Sequence, residues 1–199
     1  MNQHASGKQD FVYHIDEQDR LCEFNAAWSQ FALANDGAAV MPDQVLGRTL
    51  WDFIEDTSVR ELYRQLVHRA RAGHPARFDY RCDAPMWRRR FRMSIRKMAN
   101  GTVKFSSRLQ WEEERPQVDM LVAGAPRGEH WVRVCGWCQN VALPDGRWVP
   151  VEAAVKRMGL MAEEEFPRLT HGICPPCHSG VLAQLPPEAG FHGRPECGE

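Results

Sequence analysis

The feature that most constrains this 199-residue chain is a pair of C-x-x-C turns, Cys135-Gly-Trp-Cys138 and Cys174-Pro-Pro-Cys177, separated by residues 139–173. A C-x-x-C turn offers two sulfurs to one tetrahedral ion, and two such turns supply four thiolates. A unit the size of residues 131–182 buries little apolar surface by itself, so a bound metal is expected to replace the core it cannot build. The N-terminal run MNQHASGKQD lacks the apolar stretch of a secretory signal. No apolar run approaches the ~18–20 residues of a membrane span. The expectation is a cytoplasmic chain with no membrane contact and reduced thiols. There, cysteine pairs more often bind metal or do redox work than form structural disulfides.

Three other chemistries share this spelling. Cys174, Cys177 and His178 read as a haem-attachment site, but covalent haem is normally attached outside the cytosol and Cys135 and Cys138 would have no role. A redox dithiol needs its C-x-x-C at a helix N-terminus; HSGVLAQL after Cys177 can form that helix, yet no βαβ unit surrounds it. An iron–sulfur cluster would use the same four thiolates. The expected cofactor is a structural zinc on Cys135, Cys138, Cys174 and Cys177, with iron–sulfur the less favoured occupant. His171 lies three residues before Cys174 and reads as a hydrogen-bonding partner of the site, or as an alternative ligand.

Upstream, FVYHIDEQDRLCEFN (11–25) has the pattern of a hairpin. Asn25 can cap a helix over AAWSQFALAND that ends at Gly37. A second, longer helix follows in DTSVRELYRQLVHRARAGHP. Its cap is Asp56, Thr57 or Ser58, with Glu61 within capping-box reach of Ser58. Val59, Leu62, Tyr63, Leu66 and Ala70 form its apolar face. Three alternating runs come next: ARFDYRC, WRRRFRMSIRKM and TVKFSSRLQW, the last two joined by Asn100-Gly101, a strong hairpin signal. Val103, Phe105, Ser107, Leu109 and Trp111 are expected on one face. Cys22 and Cys82 read as small core residues. Residues 116–130 read as a linker and 183–199 as a flexible tail.

The order of two strands, helices, then three strands resembles a PAS (Per-Arnt-Sim) sensory domain over residues 10–115. FVYHIDEQDRLCEFNAAW and VLGRTLWDFI carry the resemblance. It implies a five-stranded antiparallel sheet with helices on one face, often enclosing a ligand or mediating dimerisation. The segments VCGWCQNVALPDGRWVPVEAAV and LTHGICPPC are similar to a cysteine-rich module found after sensory and receiver domains of bacterial signalling proteins. Gly146, Trp148, His171, Gly172, Ile173 and Pro175 match it alongside the four cysteines. The resulting fold class is α+β: a PAS-like unit (10–115), the linker, and a small zinc-ribbon-like module (131–182).

Within the PAS-like unit, Trp28, Phe31, Trp51, Phe53, Phe78 and Phe91 are candidates to line a pocket, although aromatic residues at this spacing also make plain core. His68 falls about 180° from Val59 at ~100° per residue, on the solvent side of the long helix. Arg88, Arg90, Arg92 and Arg96 share one strand face, able to hold anions or simply solvated and balanced by Asp79, Asp83 and Glu112–Glu114. A net charge of −1 favours the solvated face. No P-loop, Gly-x-Ser-x-Gly or His-Glu-x-x-His motif occurs. The function expected is non-enzymatic signalling or regulation, with a protein partner or homodimerisation. A nucleic-acid-binding regulator and a cysteine redox sensor are the alternatives; nucleic acid is not favoured. The PAS ligand is unknown from sequence.

Overall fold

The computed structural model describes residues 10–35, 37–160 and 165–183. Alternating side chains set the first layer. Strands β1 (Phe11–Ile15), β2 (Leu21–Phe24), β3 (Ala76–Arg81), β4 (Trp87–Lys97) and β5 (Val103–Glu114) form one antiparallel sheet in the order β2-β1-β5-β4-β3. Phe78, Phe91, Met93, Ile95, Val103 and Phe105 point to its buried face.

The helices cover that face. α1 (Ala26–Leu33) begins where the Asn25 side chain accepts the Trp28 N–H at 3.0 Å. A one-turn helix, α2 (Pro42–Val45), leads to α3 (Thr57–Arg71). α3 is capped by Asp56, whose carboxylate accepts the Val59 N–H at 2.9 Å, so the Ser58–Glu61 capping box is not the device used. His68, Arg69 and Arg71 in the last turn suit the negative end of the helix dipole. Val59, Leu62, Leu66, Val67 and Ala70 are buried, while Tyr63 is partly buried and His68 exposed. Full burial of a side chain such as Leu62 or Leu66 contributes about 1.5–3 kcal/mol.

One alternation breaks. Phe91 pairs with Leu109 but Arg90 pairs with Trp111, so Gln110 is an extra residue in β5. This bulge turns Trp111 to the outer face, where it is exposed, instead of continuing the Val103–Leu109 face. Cys22 is likewise exposed rather than core, because β2 is an edge strand with a two-residue exposed stretch.

The C-terminal part builds a second, mixed sheet: β6 (Arg127–Cys135), β7 (Val141–Ala142), β8 (Trp148–Val149) and β9 (Phe166–Gly172), ordered β8-β7-β6-β9. β6 and β9 run parallel, which requires a crossover; α4 (Val151–Arg157) lies within it. The module is therefore more than a ribbon of hairpins. α5 (Pro175–Leu182) follows β9. Residues 116–130 are not a loose linker: Val118 and Met120 are buried in the core of this second unit. Arg127 pins the segment, donating to the carbonyls of Met120 (2.9 Å), Val122 (2.8 Å) and Pro167 (3.0 Å). The tail expected over 183–199 lies, beyond Ala183, outside the described residues.

Candidate metal centre

The parallel register of β6 on β9 brings the two C-x-x-C turns together. Cys135 pairs with Gly172, so both strands end at the same level and each continues directly into its turn. In the first turn, Gln139 takes a left-handed backbone (φ 60°) and its N–H bonds the Cys135 carbonyl at 2.9 Å. The Gly136 N–H ties this turn to the Gly172 carbonyl at 2.9 Å. A Cβ on Gly172 would stand 2.7 Å from Arg133 Cδ and 3.4 Å from Asp56 Oδ2, so a side chain there would press on β6 and on the cap of α3. In the second turn Cys174 is the N-cap of α5, with proline in the first turn, where its missing N–H costs nothing. Cys177 sits in the first turn of α5, on the positive end of the helix dipole.

The four sulfurs lie within 4.8 Å of one another and are positioned to bind a metal ion. Cys138 Sγ and Cys174 Sγ are 3.7 Å apart, and the Cys174 N–H donates to Cys135 Sγ at 3.4 Å. Cys135 and Cys174 are buried; Cys138 and Cys177 are half-buried. The Cys135 thiol is held far below its ordinary value, at about 4, by a hydrogen bond from Cys138 and by the N–H groups of Cys174, Cys138 and Trp137, which outweigh burial. Cys138, donor of that bond, is pushed up. Cys177 is pushed up to about 12, first by burial and then by its hydrogen bond with Cys174. So much negative charge cannot gather in one small volume by itself. A bound cation reverses that logic and deprotonates thiols outright. The donor set fits a soft or borderline ion held by thiolates.

His171 and His178 stand outside this group. His171 is exposed on β9 opposite Val134. Successive strand residues face opposite sides, so its neighbour Gly172 turns inward and His171 outward. His178 is partly buried on α5, its N–H in the helical bond to the Cys174 carbonyl.

A residue that the spacing argument passed over fixes the site in the molecule. Trp137, inside the first C-x-x-C, is buried, with ring centroids 5.6 Å from Tyr63 and 5.5 Å from Phe78. Its carbonyl accepts the Arg81 N–H at 2.7 Å, so the turn covers the open edge of β3. The available signal was composition: an indole between two ligand cysteines is wasted unless it docks. Cys135, Trp137, Cys174 and Val181 consequently belong to the core beneath α3, not to the core of the second sheet.

A second joint is ionic. Arg115 is buried and reaches Asp83 (3.2 Å), Glu152 of α4 (2.9 Å) and the Ala84 carbonyl (2.9 Å). Arg88 bonds the same Glu152 at 2.7 and 2.9 Å. Asp83 therefore pairs with Arg115 and Arg81 and does not balance the arginine face. On that face, Arg88 is drawn to Glu152 and Glu113, while Arg90 and Arg92 share Asp79. Of the proposed anion-binding set, Arg96 alone has no side-chain partner among the described residues.

The first unit also holds an apolar cavity of about 230 Å³ lined by Tyr13, Trp28, Val40, Phe53 and Tyr63, among others. Trp28 and Phe53 of the expected pocket residues reach it. Phe31 and Phe91 pack with tilted rings on Phe11 instead, Phe78 packs on Trp137, and Trp51 donates to Asp19 at 2.9 Å. Hydrogen-bonding and ring-packing partners draw these four away from the cavity wall.

No family model matches the sequence, and no curated protein matches it. Among solved structures, a domain of an HTR-like protein from Haloarcula marismortui is similar over 51% of this chain and 98% of its own, with 14% identity and a TM-score of 0.36. A likeness that loose leaves the functional reading to the residues themselves. Among the described residues, no helix is long and apolar enough to cross a membrane.

Proposed function

We propose that this chain is a non-catalytic cytoplasmic signalling protein. A PAS-like unit senses a small molecule or dimerises, and a structural zinc clamps the second unit to it so that the pair meets a protein partner as one body. The observation that carries this reading is the convergence of four sulfurs within 4.8 Å at the seam between the units. Four sulfurs at ~2.3 Å from one zinc stand roughly 3.8 Å apart, close to the 3.7 Å between Cys138 and Cys174. A four-iron cluster places each thiolate on a different iron and so needs them further apart. Four protein ligands leave no open position for catalysis. The five-stranded antiparallel sheet with helices on one face supports the PAS-like assignment. The apolar cavity supports sensing: Tyr63 both lines it and touches Trp137 of the thiolate turn.

Elemental analysis with an absorption spectrum and native mass of the purified protein tests the proposal. One zinc per chain without a visible band is expected; an intense visible band would replace zinc with iron. A redox-sensing reading is favoured by one observation, the half-exposure of Cys138 and Cys177. It requires peroxide to release the metal.

A further inference from the structure

We propose that the open face of the five-stranded sheet, where it runs beneath α5, binds a small phosphate-bearing ligand. A cleft of about 880 Å³ lies there, lined on the sheet side by Arg77, Arg92, Ser94, Arg96, Lys104 and Arg108 and on the other by Trp137, Cys177 and Val181. Its five cations face two carboxylates: Asp79, taken by Arg92, and Asp10, held by Arg108 at 2.5 Å. Arg77 and Arg96 have no side-chain partner among the described residues, and Lys104 adds only a longer-range attraction to the Asp10 carboxylate that Arg108 already holds.

The register makes this arrangement costly for an empty protein. Arg96 stands directly opposite Lys104, with no carboxylate bonded to either; Arg92 also stands opposite Arg108, each holding a carboxylate of its own. Like charges at such positions repel and destabilise a sheet. Between these two pairs lies Ser94, with Ser106 across from it on β5 and Arg77 across from it on β3. Ser94 therefore sits at the centre of a ring of cations, with a hydroxyl to donate. An oxyanion above it would accept charge-assisted hydrogen bonds from several guanidinium groups at once.

The size of the patch selects the ligand. From Lys104 to Arg108 the strand runs about 13 Å at ~3.3 Å per residue, and three strands span roughly 10 Å. Beyond Gln110, β5 turns acidic at Glu112, Glu113 and Glu114. A nucleic-acid track would have to cross that acidic stretch. A phosphomonoester or diphosphate fits inside the basic patch.

Calorimetric titration of the full-length protein with pyrophosphate tests the inference. Saturable binding that weakens as salt rises is expected. Arg77→Ala and Arg96→Ala should each weaken it about tenfold. Arg90→Ala, outside the patch, should leave it within about twofold. Because the patch repels itself, the ligand-free Arg96→Ala protein should melt no lower than the wild type. Ser94→Glu, which places a carboxylate among the cations, should abolish binding and raise the melting temperature. Absence of saturable binding overturns the proposal. So does a ligand-free Arg96→Ala protein that melts lower, which would make Arg96 structural. A single-stranded oligonucleotide binding more tightly than pyrophosphate overturns the small-ligand assignment in favour of nucleic acid.

Discussion

The two cores of this molecule are built differently, and the metal centre belongs to the less expected one. The core beneath α3 is rich in large side chains, with Phe105, Ile15 and Leu66 fully buried in it. The buried residues of the second sheet's core carry no aromatic ring: Val118, Met120, Val132, Val134, Val141, Leu143, Val149, Val151, Ala154 and Leu160. The cysteines cluster with the first. The second unit thus has a core of its own, and the metal is not a substitute for one. A metal bound by the four cysteines would work as a rivet at the seam, fastening a turn, an indole and a short helix onto the edge of another unit's sheet. Losing it should undock the units before it unfolds either.

The sharpest way to break that contrast is Cys135→Ser. Structural zinc sites contribute on the order of 10 kcal/mol to folding in small peptides. A loss of at least about 5 kcal/mol is expected here, with metal content falling to zero. Hydrogen exchange should rise first at residues 172–182 while β6 and β7 stay protected. Uniform loss of protection across 127–172 would instead make the metal the second unit's own core. Trp137→Ala should cost about 3–5 kcal/mol by emptying a buried aromatic site, yet retain one metal per chain. Metal loss in that variant would show that docking and binding are inseparable.

The ionic joint should matter less. Arg115→Met leaves the buried Asp83 carboxylate with Arg81 as its remaining cation and the Arg89 N–H as a further donor; about 3 kcal/mol is expected from thermal melts, at the low end for a broken buried pair. Glu152→Gln should cost about 1 kcal/mol or less, because its side chain is a third exposed. Burial alone would raise the Glu152 carboxyl, but hydrogen bonds from its own N–H, Arg88 and Arg115 hold it below its usual 4.5. A depressed folded-state value means stability that is present above pH 4.5 and lost as pH falls through the folded value. The wild type should therefore lose its advantage over Glu152→Gln in melts taken below that pH. An unchanged difference down to pH 3 would remove Glu152 from the joint.

Local patterns were legible because their causes are local. Asn25 as a cap, the apolar stripe of α3, the Asn100-Gly101 turn and the alternation of β3 to β5 each depend on residues a few positions apart. The four cysteines were legible because a C-x-x-C turn carries its own geometry. The bulge at Gln110 was not, since β5 reads as unbroken alternation and the extra residue is defined by its partner strand. Nor were the roles of Trp137 and Arg115. A tryptophan in a tight turn and an arginine at the very end of the PAS-like unit acquire meaning from what lies opposite them.

The sequence by itself determined that four thiolates would meet and that an α+β unit with a basic strand face would precede them. Hydrophobic period and ligand spacing encode those outcomes within short windows. Only the tertiary structure decided where the thiolates meet and which arginines stay without a partner. Both depend on side chains brought together from distant positions: Trp137 on Phe78, Glu152 on Arg88, Arg96 beside Lys104. Short-range pattern cannot set such contacts, because burial and charge pairing are settled by whichever surfaces the folded chain finally presses together.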